Sequence, residues 1–210
     1  DVVERNDLQG DVVMDNLVEI LASAIGSLTN PPKLAKTFTS SGIKIGESTI
    51  ARYISHLTDA FMLSRAERYD VKGKKYIASP YKYYFTDIGI RNAALNFRQQ
   101  ERTHIMENII YNELLARGYN VDVGIVSYTG KTSDNKRTTI QAEIDFICNL
   151  GNKRYYIQSA FSIPDDAKMK QETASLDHID DSFKKIIITA DIIKPWINEK
   201  GYLVMNIYDF

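Results

Sequence analysis

Glu107, Glu143 and Asp145 are the side chains best suited to chemistry, and Gln158 and Ala160 complete the pattern they belong to. An acid on a helix, a second pair on one strand and an acid-then-lysine pair on the next strand is how a magnesium-dependent phosphodiesterase site is built. The carboxylates supply hard oxygen ligands for Mg²⁺, and the lysine positions and polarises the attacking water. Strand side chains alternate, so Gln141, Glu143 and Asp145 share one face while Ala142, Ile144 and Phe146 share the other. On the following strand Tyr156, Gln158 and Ala160 share a face, and pairing in register brings Gln158 beside Asp145. Gln158 is neutral where an acid is required, and Ala160 offers a methyl group where the lysine belongs. The expected site is a degenerate one with no catalytic residues, and Glu107 and Asp145 would hold a metal only weakly.

The elements that position these residues follow from periodicity and turn chemistry. Arg102 to Arg117 reads as a helix with Ile105, Ile109, Leu114 and Leu115 on its apolar side, ended by Gly118. Strands are expected over 120–128, 140–150 and 154–163, with a polar loop over 129–138. A helix over 164–179 and strands over 184–190 and 202–208 complete an α/β layer with a mixed sheet.

The first half reads differently. Val12, Val13, Leu17, Ile20, Leu21, Ala24, Ile25 and Leu28 predict an amphipathic helix over 9–28, stopped by Asn30, Pro31 and Pro32. A short helix over 33–38, a turn-rich stretch around Gly42 and a helix over 47–61 follow, the last burying Ile50, Ile54, Leu57 and Phe61. A hairpin comes next, over 63–69 and 76–78, with Lys72, Lys74 and Lys75 at its tip and Gly73 suiting the turn. Helix, helix, turn, helix and basic hairpin is the order of a winged helix-turn-helix. In that arrangement Lys44, Ser48, Thr49, Arg52, Tyr53 and His56 face a DNA major groove, and the three lysines touch phosphate. From Pro80 to Asp87, alternation would bury Tyr83 and Phe85 and expose Lys82 and Tyr84, before Thr86 and Asp87 cap a helix to Leu95 or Phe97.

Charge supports a polyanion partner in the middle of the chain. The net charge is −1 over 210 residues, but residues 1–30 carry one basic and six acidic side chains, 31–100 twelve and five, and 101–210 thirteen and sixteen. Clustered Lys and Arg gain counterion-release free energy on phosphates. Cys148 is the sole cysteine, which excludes an internal disulfide and fits a reducing cytoplasm. No apolar run approaches the roughly 20 residues of a membrane span, no phosphate-binding loop is spelled out, and His56, His104 and His178 have no cysteine partners for zinc. The chain opens on Asp1 rather than Met, as expected of part of something longer.

Several stretches in order resemble one family. These are Asp1 to Arg5, Leu34 and Ala35 with Thr49 to Tyr53, Lys82 to Gly89, Glu107 and Asn108, Glu143 to Phe146, and Tyr156 to Gln158. Nearly the whole chain resembles the C-terminal half, a domain of unknown function, of bacterial and archaeal AAA-type P-loop ATPases. The resemblance implies an α+β protein: a winged-helix domain over 1–98, then an α/β restriction-endonuclease-like domain of the PD-(D/E)xK kind over 99–210. It matches Glu107 to the helix acid, Asp145 to the central acid, and Gln158 and Ala160 to the missing acid and lysine. ATP would bind only the N-terminal half, outside these residues, so no cofactor beyond weakly held Mg²⁺ is expected here. The implied partners are double-stranded DNA, the chain's own ATPase module and further copies of itself, with no membrane. Two other readings use the same residues: an active magnesium-dependent DNA nuclease, and a protein-interaction or oligomerisation platform.

Overall fold

Helical spacing in the first hundred residues produces helices, but their ends are set by what the chain pairs with next. The computed structural model describes residues 11–131 and 134–210. Among these, six α-helices and eight strands form a mixed α+β architecture: α1 (Asp11–Ser23), α2 (Pro31–Ser40), α3 (Glu47–Asp59), β1 (Leu63–Asp70), β2 (Lys75–Phe85), α4 (Ile88–Ala94), α5 (Arg102–Ala116), β3 (Asn120–Lys131), β4 (Arg137–Leu150), β5 (Lys153–Ala160), α6 (Asp166–Thr173), β6 (Lys184–Thr189), β7 (Trp196–Ile197) and β8 (Leu203–Asn206). The strands make one sheet in the order β2-β1-β3-β4-β5-β6-β8-β7. Two compact units divide the chain, one running to Ala66 and resuming over Ser79–Asn108, the other comprising Glu67–Ala78 and Ile109–Phe210. No described helix is long and apolar enough to cross a membrane.

In the first unit, α1 stops at Ser23 rather than continuing to residue 28, because the segment after it pairs with β2. Gly26 N–H donates to the Tyr83 carbonyl, and Thr29 and Tyr81 exchange backbone bonds of 2.8 and 2.9 Å. Residues 9 and 10 of the expected helix lie outside the described residues. The prolines start α2 rather than merely ending α1: Asn30 caps it through a 2.9 Å bond from Lys33 N–H, with Pro31 at the first helical position. Leu17, Leu21, Ile25, Leu34, Phe38, Ile50, Ile54 and Leu57 are buried as the periodicity predicts, while Val12, expected on the same face, is exposed. Phe61, expected in that core, is 81% exposed, because α3 ends at Asp59 and Phe61 turns into a left-handed conformation.

In the second unit, β3 is antiparallel to β4, β4 to β5, and β5, β6 and β8 run parallel. Within the polar stretch expected as a loop over 129–138, residues 129–131 and 137–138 are ladder, with Thr129 opposite Thr139 and Lys131 opposite Arg137. Val126, Ile144, Ile147, Tyr156, Ala160, Leu176, Ile187 and Val204 belong to one apolar cluster, against which Met169 of α6 packs. The other face of β4 presents Phe146 to Tyr111 of α5, ring centroids 6.0 Å apart. Ile110, Tyr111 and Leu114 of α5 are buried, while Ile109 and Leu115, expected inside, are exposed. The expected helix over 164–179 is broken, α6 giving way to a 3₁₀ turn at Leu176–His178.

Candidate functional site

Glu107 lies in the first unit, on α5, and is 6% exposed. Its Oε1 accepts from Lys82 Nζ at 2.9 Å and from the Tyr84 hydroxyl at 2.6 Å. The next residue, Asn108, clasps the same strand: its side chain accepts from Phe85 N–H and donates to Phe85 O, both at 2.8 Å. Lys82 and Tyr84, expected on an exposed strand face, are 3% and 0% exposed. Alternation fails here because a charged pair can be buried when each member satisfies the other. Gly26 fits beside this group: its φ is +70°, and a Cβ there would stand 3.3 Å from both Glu107 carboxylate oxygens. The signal available in the sequence was an ammonium and a phenol two strand positions apart, ahead of a helix bearing Glu107.

Asp145 lies in the second unit, 8% exposed. The β4–β5 ladder closes at Phe146 opposite Ile157, and beyond it the Asp145 carboxylate accepts the Ser159 N–H at 2.7 Å. The expected approach of Asp145 to β5 occurs, through main chain. The strict alternation expected along β4 does not. The register shifts between Asp122 and Gly124 of β3, which face Ile147 and Ile144, so β4 carries an extra residue there. Ile144 and Ile147 consequently share one cluster, while Phe146 turns to Tyr111 rather than sharing a face with Ile144. Gly124 permits the close approach, since a Cβ on it would lie 2.9 Å from Ile144 Cβ.

Glu143 is half-buried opposite Ile125. The Gln158 Oε1 and Ser159 Oγ are buried with no hydrogen-bond partner among the described residues. Ala160, at 2% exposed, sits inside the apolar cluster with Leu176 and Ile187. A lysine there would bury its charge among hydrocarbon, so the methyl group suits its surroundings. Among the described residues no group of three His, Cys, Asp or Glu side chains is placed to hold a metal ion.

The expected nucleic-acid face is mostly presented to solvent. On and before α3, Lys44, Ser48 and Arg52 are exposed, and Thr49 and His56 half-buried. Tyr53 is a correction: at 4% exposed it belongs to the core of the first unit, with the Arg52 guanidinium 5.9 Å from its ring centroid. Lys72, Lys74 and Lys75 are exposed at the β1–β2 tip, in the second unit. Asp70 organises that turn, accepting from Lys72 N–H at 3.1 Å and Gly73 N–H at 2.9 Å.

A titratable cluster in the second unit escaped the sequence reading. Tyr76 O–H donates to Asp122 Oδ2 at 3.2 Å, and burial lifts the Asp122 carboxyl above its ordinary value. The signal was one acid in the otherwise apolar run from Val121 to Val126.

Fold and site thus define a mixed α+β protein of two compact units, with a buried ion pair in one and a sheet-borne acid in the other. Residues 1–101 match a family described as a domain of unknown function, DUF8612. The chain is similar to an uncharacterized protein of Haemophilus influenzae, 35% identical over 190 residues that cover 90% of this chain and 44% of that protein. It is also similar to the uncharacterized protein MJ1544 of Methanocaldococcus jannaschii, 24% identical over 171 residues, covering 81% and 36%. The chain spans less than half the length of these curated relatives. Among solved structures, the crystal structure of protein VC1899 from Vibrio cholerae matches with a TM-score of 0.31 and 11% identity, covering 95% of this chain and 54% of that one.

Proposed function

We propose that this chain is a duplex-DNA-binding module of winged-helix type joined to a nuclease-like α/β unit without hydrolytic activity, and that it works as the output portion of a longer protein with an AAA-type ATPase module. The observation that carries the reading is the exposed face of Lys44, Ser48 and Arg52 on and before α3, directly after the turn at Gly42. Short polar and cationic side chains on one helix face suit base edges and phosphates. The exposed lysine tip adds sequence-independent phosphate affinity. Support for a longer protein comes from the relatives, each more than twice the length of the segment they share with this chain.

Loss of hydrolysis is the reading that the donor set favours. Magnesium would find one carboxylate already bonded to main chain at Asp145, a neutral amide at Gln158 and a methyl group at Ala160. Glu107 is committed to Lys82 and Tyr84 in the other unit. These residues do not fit a resident catalytic metal.

Fluorescence anisotropy with a labelled duplex tests the DNA reading. Affinity should fall steeply with salt, and Arg52→Ala should weaken binding and lower the magnitude of the salt slope by about one. Substituting Lys72, Lys74 and Lys75 together by Ala should lower it further. Unchanged affinity in both variants removes the DNA claim and leaves the interaction-platform reading. A surviving nuclease has one observation in its favour, the two orphaned oxygens of Gln158 and Ser159 beside Asp145. Plasmid incubated with Mg²⁺ or Mn²⁺ decides it: scission that disappears in Asp145→Ala replaces the inert reading.

A further inference from the structure

Trp196, the chain's single tryptophan, opens the two-residue strand β7 at the outer edge of the sheet and is 45% exposed. Its indole lines an open cavity of about 340 Å³, shared with Asp166, Met169 and Lys170 of α6 and with Glu199 and Lys200 of the following turn. That volume lies at the small end of sites for organic ligands. Every lining residue belongs to the second unit, and none takes part in the function proposed above.

The charges around the rim do not cancel. Lys200 is committed to Asp177, 2.5 Å away, which also accepts from the Tyr202 hydroxyl at 2.9 Å. Asp166 and Lys170 stand four residues apart on α6, one acid and one base at the spacing that lets such side chains meet. Glu199 has no ion-pair partner among the described residues, so the cavity is left with the field of one carboxylate beside an open indole. The face of an aromatic ring attracts cations, and Trp does so most strongly. Met169, half-buried, gives a soft apolar surface for alkyl groups. A phosphate or nucleotide is disfavoured, because its charge would meet Glu199 and Asp166 with Lys170 alone to balance them.

We propose that this cavity is a binding site for an alkylated organic cation, its ammonium or guanidinium head over Trp196 and its carbon chain against Met169. The head is supplied either by a free small molecule or by a lysine or arginine side chain on a peptide.

Because Trp196 is the only tryptophan, its emission reports occupancy without a label. The full chain is titrated with tetramethylammonium chloride, and separately with the peptide Gly-Ser-Arg-Ser-Gly amide, at ionic strength held constant with sodium chloride. A saturable change in emission is expected. Equal affinity for the two probes identifies a free cation as the natural source, and tenfold or greater preference for the peptide identifies a presented side chain. Glu199→Gln should weaken binding about threefold, the order expected for removing one unit charge from the rim of a solvent-exposed site, and Lys170→Ala should tighten it by a similar factor. Both residues are exposed, and far-UV circular dichroism verifies that the variants fold. No saturable change with either probe overturns the proposal. So does the reverse charge pattern, with adenosine monophosphate bound more tightly than the cations and weakened by Lys170→Ala.

Discussion

Removing the Glu107 carboxylate should unfold this protein far more readily than removing a metal ligand would. In Glu107→Ala, Lys82 loses the carboxylate 2.9 Å from its ammonium and Tyr84 the acceptor 2.6 Å from its hydroxyl. The two side chains of the ion pair are 4% and 8% exposed, so water screens them little. Breaking a buried pair by deleting one partner costs about 3–5 kcal/mol, and losing one buried hydrogen bond about 1 kcal/mol. Both bonds end on the same oxygen, so the losses overlap and a combined cost of about 4 kcal/mol is expected, a large part of the roughly 5–15 kcal/mol that holds a domain together. In a chain of this size that lowers Tm by about 8–16 °C. Urea unfolding followed by far-UV circular dichroism measures it. The double variant Glu107→Leu with Lys82→Met, which replaces the pair by hydrocarbon, should recover most of the loss. A carboxylate crowded among other acids to hold a metal behaves oppositely, since deleting it relieves repulsion and raises stability in the absence of the ion. The reasoning fails if Glu107→Ala unfolds within about 0.5 kcal/mol of the parent, or if the double variant is no more stable than the single one.

Three further outcomes follow from the same geometry. Gly26→Ala forces a side chain into the left-handed region and against the Glu107 carboxylate, and should cost about 1–2 kcal/mol; an unchanged Tm would show that the contact relaxes freely. Arg91 is fully buried, with Nε 3.1 Å from the Ala22 carbonyl near the end of α1 and Nη1 2.6 Å from the Gln99 carbonyl. Arg91→Ala should therefore cost about 2–3 kcal/mol in urea unfolding, and a neutral substitution would refute the clamp. Asp122 titrates above 3.8 in the folded chain because it is buried, so the folded state holds its proton more tightly than the unfolded one. Stability from this group falls as pH rises from 3.8 through the raised value and stays reduced above it. Asp122→Asn should remove that slope and raise Tm at pH 7; a Tm profile between pH 4 and 7 that matches the parent's rejects the assignment.

Patterns with one buried side were legible, and patterns with two were not. The helix at 47–59 was expected over 47–61, because Ile50, Ile54 and Leu57 repeat at helical spacing against a wet face. The order of strands β3 to β6 followed from their apolar runs and from the turn at Gly151. Misreadings cluster where tertiary contacts override local rules. Lys82 and Tyr84 alternate like solvent-facing residues, yet Glu107 draws both inward. Ile109 and Leu115 look like core residues of α5, but the buried side is the one carrying Met106, Ile110 and Leu114. The extra residue in β4 leaves no local mark, since Ile144 through Cys148 is apolar apart from Asp145 whichever way it faces. Of the expected site, the meeting of Asp145 with β5 could be derived from alternation and pairing. The capture of Glu107 by a lysine 25 residues earlier could not, because nothing local encodes a contact at that separation.

The first unit is interrupted in the chain by residues 67–78 and closes only with Asn108. During synthesis, Leu63 and Ala66 emerge before Tyr83 to Phe85, and Lys82 emerges some seconds before Glu107. A fragment cut after residue 98 would make that interval permanent, because it carries Lys82 without Glu107. The unit is therefore complete only when the chain has been made as far as Asn108.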